Sequence, residues 1–231
     1  MEESNRFELR RDTPEPIADM YLCMSDSLLS EDVETIARLI KSCRRNIISF
    51  WIKCPLNVTL DAVIRQLELL ALFGSEMEGA RNNIEILTLK CSDTGRGERP
   101  NKEDAIARSN AVIDALGPFL QSKTIIETFR LDASGADARG IRSLLGSLSR
   151  FEGLQTVEFH HCLNFGYDAV QVLIELSRKA EHQWWDIFLV AVPVGNVEIE
   201  LLLKCKLKLV CHRISECLCE WCSLKYTELF S

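Results

Sequence analysis

The chain has 231 residues, of which 47% are hydrophobic and 26% are charged, as is usual for a globular protein with a sizeable core. This length favours one domain over two. The 27 basic and 34 acidic side chains give a formal charge of −7, which disfavours nucleic-acid binding because that function needs clustered positive charge.

Two further features predict the compartment. The first residues lack the apolar stretch of a signal peptide, and no apolar run approaches the roughly 20 residues of a membrane span. We therefore expect a cytoplasmic or nuclear protein without a membrane partner. In those compartments we expect the ten cysteines to remain reduced.

Six short segments rich in Ile, Leu, Val, Phe and Trp predict strands, and several of them alternate apolar with polar residues. In chain order the predicted strands are Ile47–Cys54, Ile84–Cys91, Ile126–Asp132, Leu154–Cys162, Trp185–Val192 and Leu207–His212. Before and between them, apolar residues three and four apart predict helices. The first four of these helices begin near the capping residues Ser30, Thr59, Asn101 and Asp137. Pro118 is expected to disturb the end of the third helix.

Five of the six predicted strands share a repeating frame, with apolar residues at the first, fourth and sixth positions, and His212 breaks it in the sixth. The frame is filled by Ile47, Phe50 and Ile52, by Ile84, Leu87 and Leu89, by Ile126, Phe129 and Leu131, by Leu154, Val157 and Phe159, and by Trp185, Phe188 and Val190. Ile126 and Leu154 are 28 residues apart, and Leu154 and Trp185 are 31 apart. A longer interval before Ile126 contains the polar stretch Ser92–Asp104, which we interpret as an inserted loop.

The best unit runs from Ile126 to Leu148 and resembles a leucine-rich repeat of the ribonuclease-inhibitor type. Leu131, Gly140 and Ile141 match that motif. Ser134 replaces its asparagine and Ala136 replaces its leucine. At the ninth position, where the family has Asn or Cys, Cys162 matches. The resemblance covers roughly residues 47–203.

The resemblance implies an α/β fold, a short leucine-rich-repeat solenoid with its parallel sheet on the concave face. The alternative is a doubly wound three-layer α/β sheet, which also alternates strands with helices. We expect a loosely ordered N-terminal arm over residues 1–24, the repeat domain with an N-terminal cap helix over residues 25–206, and a cysteine-rich C-terminal cap over residues 207–231.

The resemblance also implies the function, a non-catalytic module that binds a protein partner through the concave face. Alternation along each strand predicts which side chains point out of that face. The candidate binding residues are Trp51, Lys53, Thr88, Lys90, Arg130, Asp132, Glu158 and His160. Trp51 is either an exposed anchor or packs under the N-terminal arm. The same frame places Ile187, Leu189 and Ala191 on this face. We expect the C-terminal tail to cover these apolar residues, and the alternative is a dimer or partner contact.

Catalytic and metal-binding alternatives are weaker. An α/β enzyme would have its site near Cys91–Gly97 and Asp132–Gly135, at the carboxyl ends of the strands. A zinc-stabilised module would use the terminal cysteines, and its ligands would be Cys211, Cys217, Cys219 and Cys222. His160 and His161 are expected on opposite sides of the sheet, so they are not expected to bind a metal ion together. We predict no metal, no cofactor and no catalytic centre.

Overall fold

A computed structural model describes residues 19–35, 47–75, 83–91, 101–120, 125–149, 153–162, 164–179, 186–204 and 208–212. Its strands are β1 (Asp19–Cys23), β2 (Ile47–Lys53), β3 (Asn83–Lys90), β4 (Ile125–Asp132), β5 (Thr156–His160), β6 (Asp186–Val190) and β7 (Lys208–His212). Its helices are α1 (residues 30–35), α2 (Leu60–Ser75), α3 (Lys102–Leu120), α4 (Ala138–Leu148), α5 (Tyr167–Lys179) and α6 (Asn196–Leu203).

The seven described strands form one sheet in the order β1-β2-β3-β4-β5-β6-β7, and every neighbouring pair is parallel. From α2 to α6, each helix packs against the next one along the chain. The protein is therefore an α/β protein in which strands and helices alternate. A doubly wound sheet reverses its strand order at a switch point, and this sheet shows no such reversal over its described strands.

The core lies between the helices and one face of the sheet. Alternate strand residues are buried there, as Phe50 and Ile52 of β2 and Val157 and Phe159 of β5 show. Phenylalanine rings from the strands meet rings outside them. Phe159 lies 4.8 Å from Phe165, measured between ring centroids. The apolar frame read from the sequence thus marks the helix-facing side of β2, β3, β4 and β5.

Loops and helix starts are tied to the neighbouring unit by hydrogen bonds. The carboxylate of Asp26 accepts from the backbone and hydroxyl of Thr59, just before α2. Arg108 of α3 donates to the carbonyls of Pro55 and Val58. These contacts join consecutive units at the edge where the strands end, and they fix how each unit stacks on the next.

Asp137 caps α4 as predicted, because its carboxylate accepts from the backbone of Arg139 and Gly140. Asn110 of α3 donates to the same carboxylate over 2.9 Å. One cap therefore also holds two helices together. Pro118, which was expected to disturb the end of the third helix, lies inside α3, close to its last residue Leu120.

The N-terminal boundary needs correction. Residues 19–23, predicted to belong to a loose arm, form β1 and pair with β2. Met20 and Leu22 are buried in the core. Residues 1–18 lie outside the described part of the chain, as do residues 92–100 of the polar stretch and residues 213–231 of the predicted C-terminal cap.

The frame of β6 also needs correction, by one residue. Ile187 and Leu189 align with the core residues Val157 and Phe159, and both are fully buried. Ala191, which follows them, is buried as well. Ile187 and Leu189 belong to the core, and the opposite face carries Phe188 and Val190. A one-residue shift exchanges the two faces of a strand, because side chains alternate.

Candidate functional site

We call the face of the sheet that points away from the helices the polar face. Two rows of its side chains, towards the carboxyl ends of the strands, contain the predicted site residues, and a further row from Asp19 to Asp186 precedes them. The first row contains Tyr21, Trp51, Thr88, Arg130, Glu158 and Phe188, which align in register across β1 to β6. The second row contains Cys23, Lys53, Lys90, Asp132, His160 and Val190 in the same way. Seven of the eight predicted site residues contribute side chains to a continuous surface, and Thr88 is the exception.

Thr88 is fully buried although it lies in the middle of the first row. Its hydroxyl has no hydrogen-bond partner among the described residues. Its neighbours in register are Trp51 and Arg130, both much larger. Thr88 therefore supports the surface from beneath and is not available as a contact residue.

One end of the polar face is aromatic and cationic. The rings of Tyr21 and Trp51 stack with centroids 5.9 Å apart and planes inclined by 19°. Trp51 donates from Nε1 to Oγ of Ser49 over 2.6 Å, which fixes the indole orientation. The ammonium group of Lys53 lies 5.2 Å from the centroid of the Tyr21 ring, in a cation–π arrangement. Tyr21 is 48% exposed, so the stacked pair is accessible.

Sequence reasoning missed Tyr21, because it lies outside the repeat frame in the segment interpreted as a loose arm. The alternative that Trp51 packs under the N-terminal arm is close to the observed arrangement, since Trp51 stacks on Tyr21, which belongs to that segment. The overlooked signal is the alternation of Met20 and Leu22 with more polar neighbours, which predicts a strand here.

The centre of the polar face carries two groups of charged and hydrogen-bonded side chains. In the first, Glu158 Oε2 lies 2.6 Å from Arg130 Nε and 2.9 Å from His160 Nε2. In the second, Asp132 lies 2.9 Å from Nδ1 of His161 and 3.8 Å from the ammonium group of Lys90. Each carboxylate therefore bridges a cation and an imidazole, and each group joins residues from adjacent strands.

The surroundings of both carboxylates favour the ionised form. Burial alone would raise the pKa of Asp132, but the hydrogen bond with His161 and the charge of Lys90 outweigh it, and the pKa is lowered. Burial likewise opposes the lowered pKa of Glu158, which follows from hydrogen bonds with His160 and Arg130. Both acids are therefore held as anions.

His161 lies on the same side of the sheet as His160, with ring centroids 6.3 Å apart, so the expectation of opposite sides was wrong. The reason is its backbone. His161 follows the last residue of β5 and has a φ of 54°, in the left-handed region. Ala133 and Ala191 occupy the same place after β4 and β6 with φ of 49° and 52°. The turn, not strand alternation, sets the direction of these side chains.

Beyond the charged centre, β6 makes the polar face apolar. Phe188 and Val190 of β6 are half-buried and continue the two rows beyond Glu158 and His160. Sequence reasoning assigned these two residues to the core. The polar face therefore changes from aromatic and cationic, through paired charges, to apolar.

Cysteine thiols at the carboxyl ends of the strands are poorly suited to nucleophilic chemistry. Cys54, Cys91 and Cys162 are buried, and this burial raises the pKa of each thiol, to about 12 for Cys91. Cys162 Sγ lies 3.4 Å from the carbonyl oxygen of His160 and 3.6 Å from that of Leu131. The Cys162 thiol thus forms hydrogen bonds with backbone carbonyls of β5 and of the adjacent strand β4.

No group of three or more His, Cys, Asp or Glu side chains in the described part of the chain has the geometry to hold a metal ion. Among the zinc candidates, Cys211 lies in β7, and Cys217, Cys219 and Cys222 lie outside the described residues. None of the described helices combines the length and apolar composition that crossing a membrane requires.

No protein-family model matches this chain, and no curated protein matches it by sequence.

Proposed function

We propose that this chain is a short leucine-rich-repeat module that binds a protein partner through the polar face of its sheet. The parallel strands in sequential order, the helices stacked in chain order and the repeated turn after β4, β5 and β6 support the repeat architecture. The continuous surface formed by the two rows supports the binding role, and this observation carries the proposal.

The composition of the polar face suits protein recognition. Protein interfaces are enriched in aromatic residues and arginine, and their strongest contributions come from a few anchors. Tyr21 and Trp51 provide stacked aromatic area, and Arg130 is held in place by Glu158. Side chains that are fixed before binding lose little conformational entropy when a partner docks.

The test is affinity capture from native lysate with a triple variant, Trp51→Ala, Arg130→Ala and Glu158→Ala. Its matched control removes an aromatic residue and an Arg–Glu pair from the helix side: Tyr167→Ala, Arg142→Ala and Glu175→Ala. Arg142 and Glu175 form a 2.7 Å ion pair, and Tyr167 is exposed.

We expect the wild type and the control to capture the same protein and the triple variant to lose it. Circular dichroism should show that both variants are folded. Capture of that protein by the folded triple variant would contradict the proposal.

A further inference from the structure

The charges along the polar face are compensated unevenly. Arg130 is paired with Glu158, and Lys90 lies 3.8 Å from Asp132. Lys53 has no carboxylate within ion-pair distance among the described residues and lies over the ring of Tyr21 instead. Among the described residues Lys53 is therefore not neutralised by an ion pair, although Asp19 of β1 lies on the same face, in register with Ser49.

Lys53 and Lys90 are direct partners in register on adjacent strands. Like charges directly opposite each other on a sheet repel and destabilise it. Asp132 offsets this repulsion only in part, because it is also bonded to His161 at 2.9 Å. A carboxylate from a ligand, placed between the two ammonium groups, would compensate both lysines.

The rest of the polar face restricts the ligand to one acidic end. A polyanion lying along the rows would meet the ionised carboxylates of Asp132 and Glu158 and be repelled. Beyond them β6 carries Phe188 and Val190, which favour an apolar side chain. The surface therefore complements a ligand that is acidic at one end and apolar at the other, as a peptide segment can be.

The spacing of the strands sets the length of that segment. From β2 to β6 there are four steps in the sheet, about 4.8 Å each, which gives roughly 19 Å or about six extended residues. We propose that the polar face binds an extended peptide segment of the partner, with an acidic side chain over Lys53 and Lys90 and an apolar side chain over Phe188 and Val190. This inference rests on the proposed binding function and specifies its ligand.

The test starts from a phage-displayed library of random peptides long enough to cross both rows, selected against the wild-type protein. We expect the selected peptides to share an Asp or Glu and, about six positions away, an apolar residue. A synthetic peptide of the selected sequence is then titrated by fluorescence anisotropy against the wild type and its variants.

Three protein variants isolate the lysines. Lys53→Glu with Lys90→Glu should weaken peptide binding at least about tenfold, and a peptide whose acid is replaced by lysine should regain affinity for this variant. Lys53→Gln with Lys90→Gln, which introduces no new repulsion, should also weaken binding. The control, Lys102→Glu with Lys204→Glu, makes the same charge change at exposed sites outside the polar face and should bind as the wild type does.

Selected peptides without a shared acid, equal affinity for the lysine variants, or no selected peptide at all would overturn the inference. The triple variant Trp51→Ala, Arg130→Ala and Glu158→Ala separates this failure from failure of the proposed function. Peptides that bind the lysine variants as tightly as the wild type but lose affinity for the triple variant would show that the face binds a ligand of other chemistry. Peptides unaffected by both sets would contradict both proposals.

Discussion

Arg130 and Glu158 are direct partners on adjacent strands, and Nε of the arginine lies 2.6 Å from Oε2 of the glutamate. Their side chains are only 24% and 15% exposed, so water screens the pair less than it screens an ion pair on the helix surface. The two groups are therefore expected to be energetically coupled in the free protein.

A double-mutant cycle with Arg130→Ala and Glu158→Ala measures that coupling. From urea unfolding we expect a coupling free energy of about 1–2 kcal/mol. The exposed pair Arg142 and Glu175, also 2.7 Å apart, is the matched control and should give about 0.5 kcal/mol or less. Equal coupling free energies in the two cycles would show that the polar face does not shield its ion pair from screening by water.

Acid should destabilise the protein partly through Asp132 and Glu158, whose folded pKa values are lowered. Their stabilising contribution is complete above the unfolded carboxyl pKa of about 4, and it is lost as the pH falls through the lower folded values. We expect the free energy of unfolding to fall below about pH 4, and to fall less steeply in the Asp132→Asn, Glu158→Gln variant. If the free energy of unfolding depended on pH in the same way in this variant and the wild type, the acid sensitivity would not come from Asp132 and Glu158.

Two glycines of α4 should respond to alanine with opposite sign. A Cβ at Gly140 would overlap Oδ1 of Asn110, the residue that donates to the cap at Asp137, whereas a Cβ at Gly146 would meet nothing within 4 Å. Gly140→Ala should destabilise by about 1–3 kcal/mol through overpacking. Gly146→Ala should stabilise by about 0.5–1 kcal/mol through helix propensity.

Thermal or urea unfolding of the two glycine variants provides the measurement. If Gly140→Ala proved as stable as Gly146→Ala, the close contact between α3 and α4 at Asn110 would be wrong.

The register of β6 can be tested by truncation. Ile187→Ala and Leu189→Ala remove fully buried side chains and should each cost about 2–4 kcal/mol. Val190→Ala, on the opposite and half-buried face, should cost about 1 kcal/mol or less. The reverse order of costs, measured by urea unfolding, would restore the frame that begins at Trp185.

Cysteine alkylation tests the burial of the repeat thiols. The exposed Cys23 should react in the native protein, whereas Cys54, Cys91 and Cys162 should react only after unfolding, because they are buried and protonated. Peptide mass mapping after brief alkylation at mildly alkaline pH distinguishes them. Native labelling of Cys162 as fast as that of Cys23 would support a reactive thiol at the carboxyl ends of the strands.

Most strands were predictable because their apolar residues recur in one frame, and the frame marks the buried face. The strand β1 was missed, since Asp19–Cys23 is short and lies before the first recognised repeat. The frame of β6 slipped because Trp184 and Trp185 offer two apolar starting points. Starting at Trp184 places Ile187 and Leu189 at the core positions, as the structure has them.

The candidate site was predictable as two rows, because alternation and repeat alignment place residues on one face. Its internal contacts were not predictable, since they depend on the register between strands and on side-chain rotamers. The contact between His161 and Asp132 depends in addition on a left-handed backbone that no residue type in His160-His161-Cys162 indicates. The burial of Thr88 likewise depends on what its larger neighbours cover.

Photo-crosslinking distinguishes a partner on the polar face from a partner on the helices, because Tyr21 and Tyr167 are similarly exposed on different sides of the protein. Tyr21 is 48% exposed on the polar face, and Tyr167 is 53% exposed at the start of α5. Benzoylphenylalanine replaces each tyrosine in turn, and the protein is irradiated with the captured partner. We expect a crosslink from position 21 and none from position 167. A crosslink from position 167 alone would place the partner on the helices and contradict the proposed function.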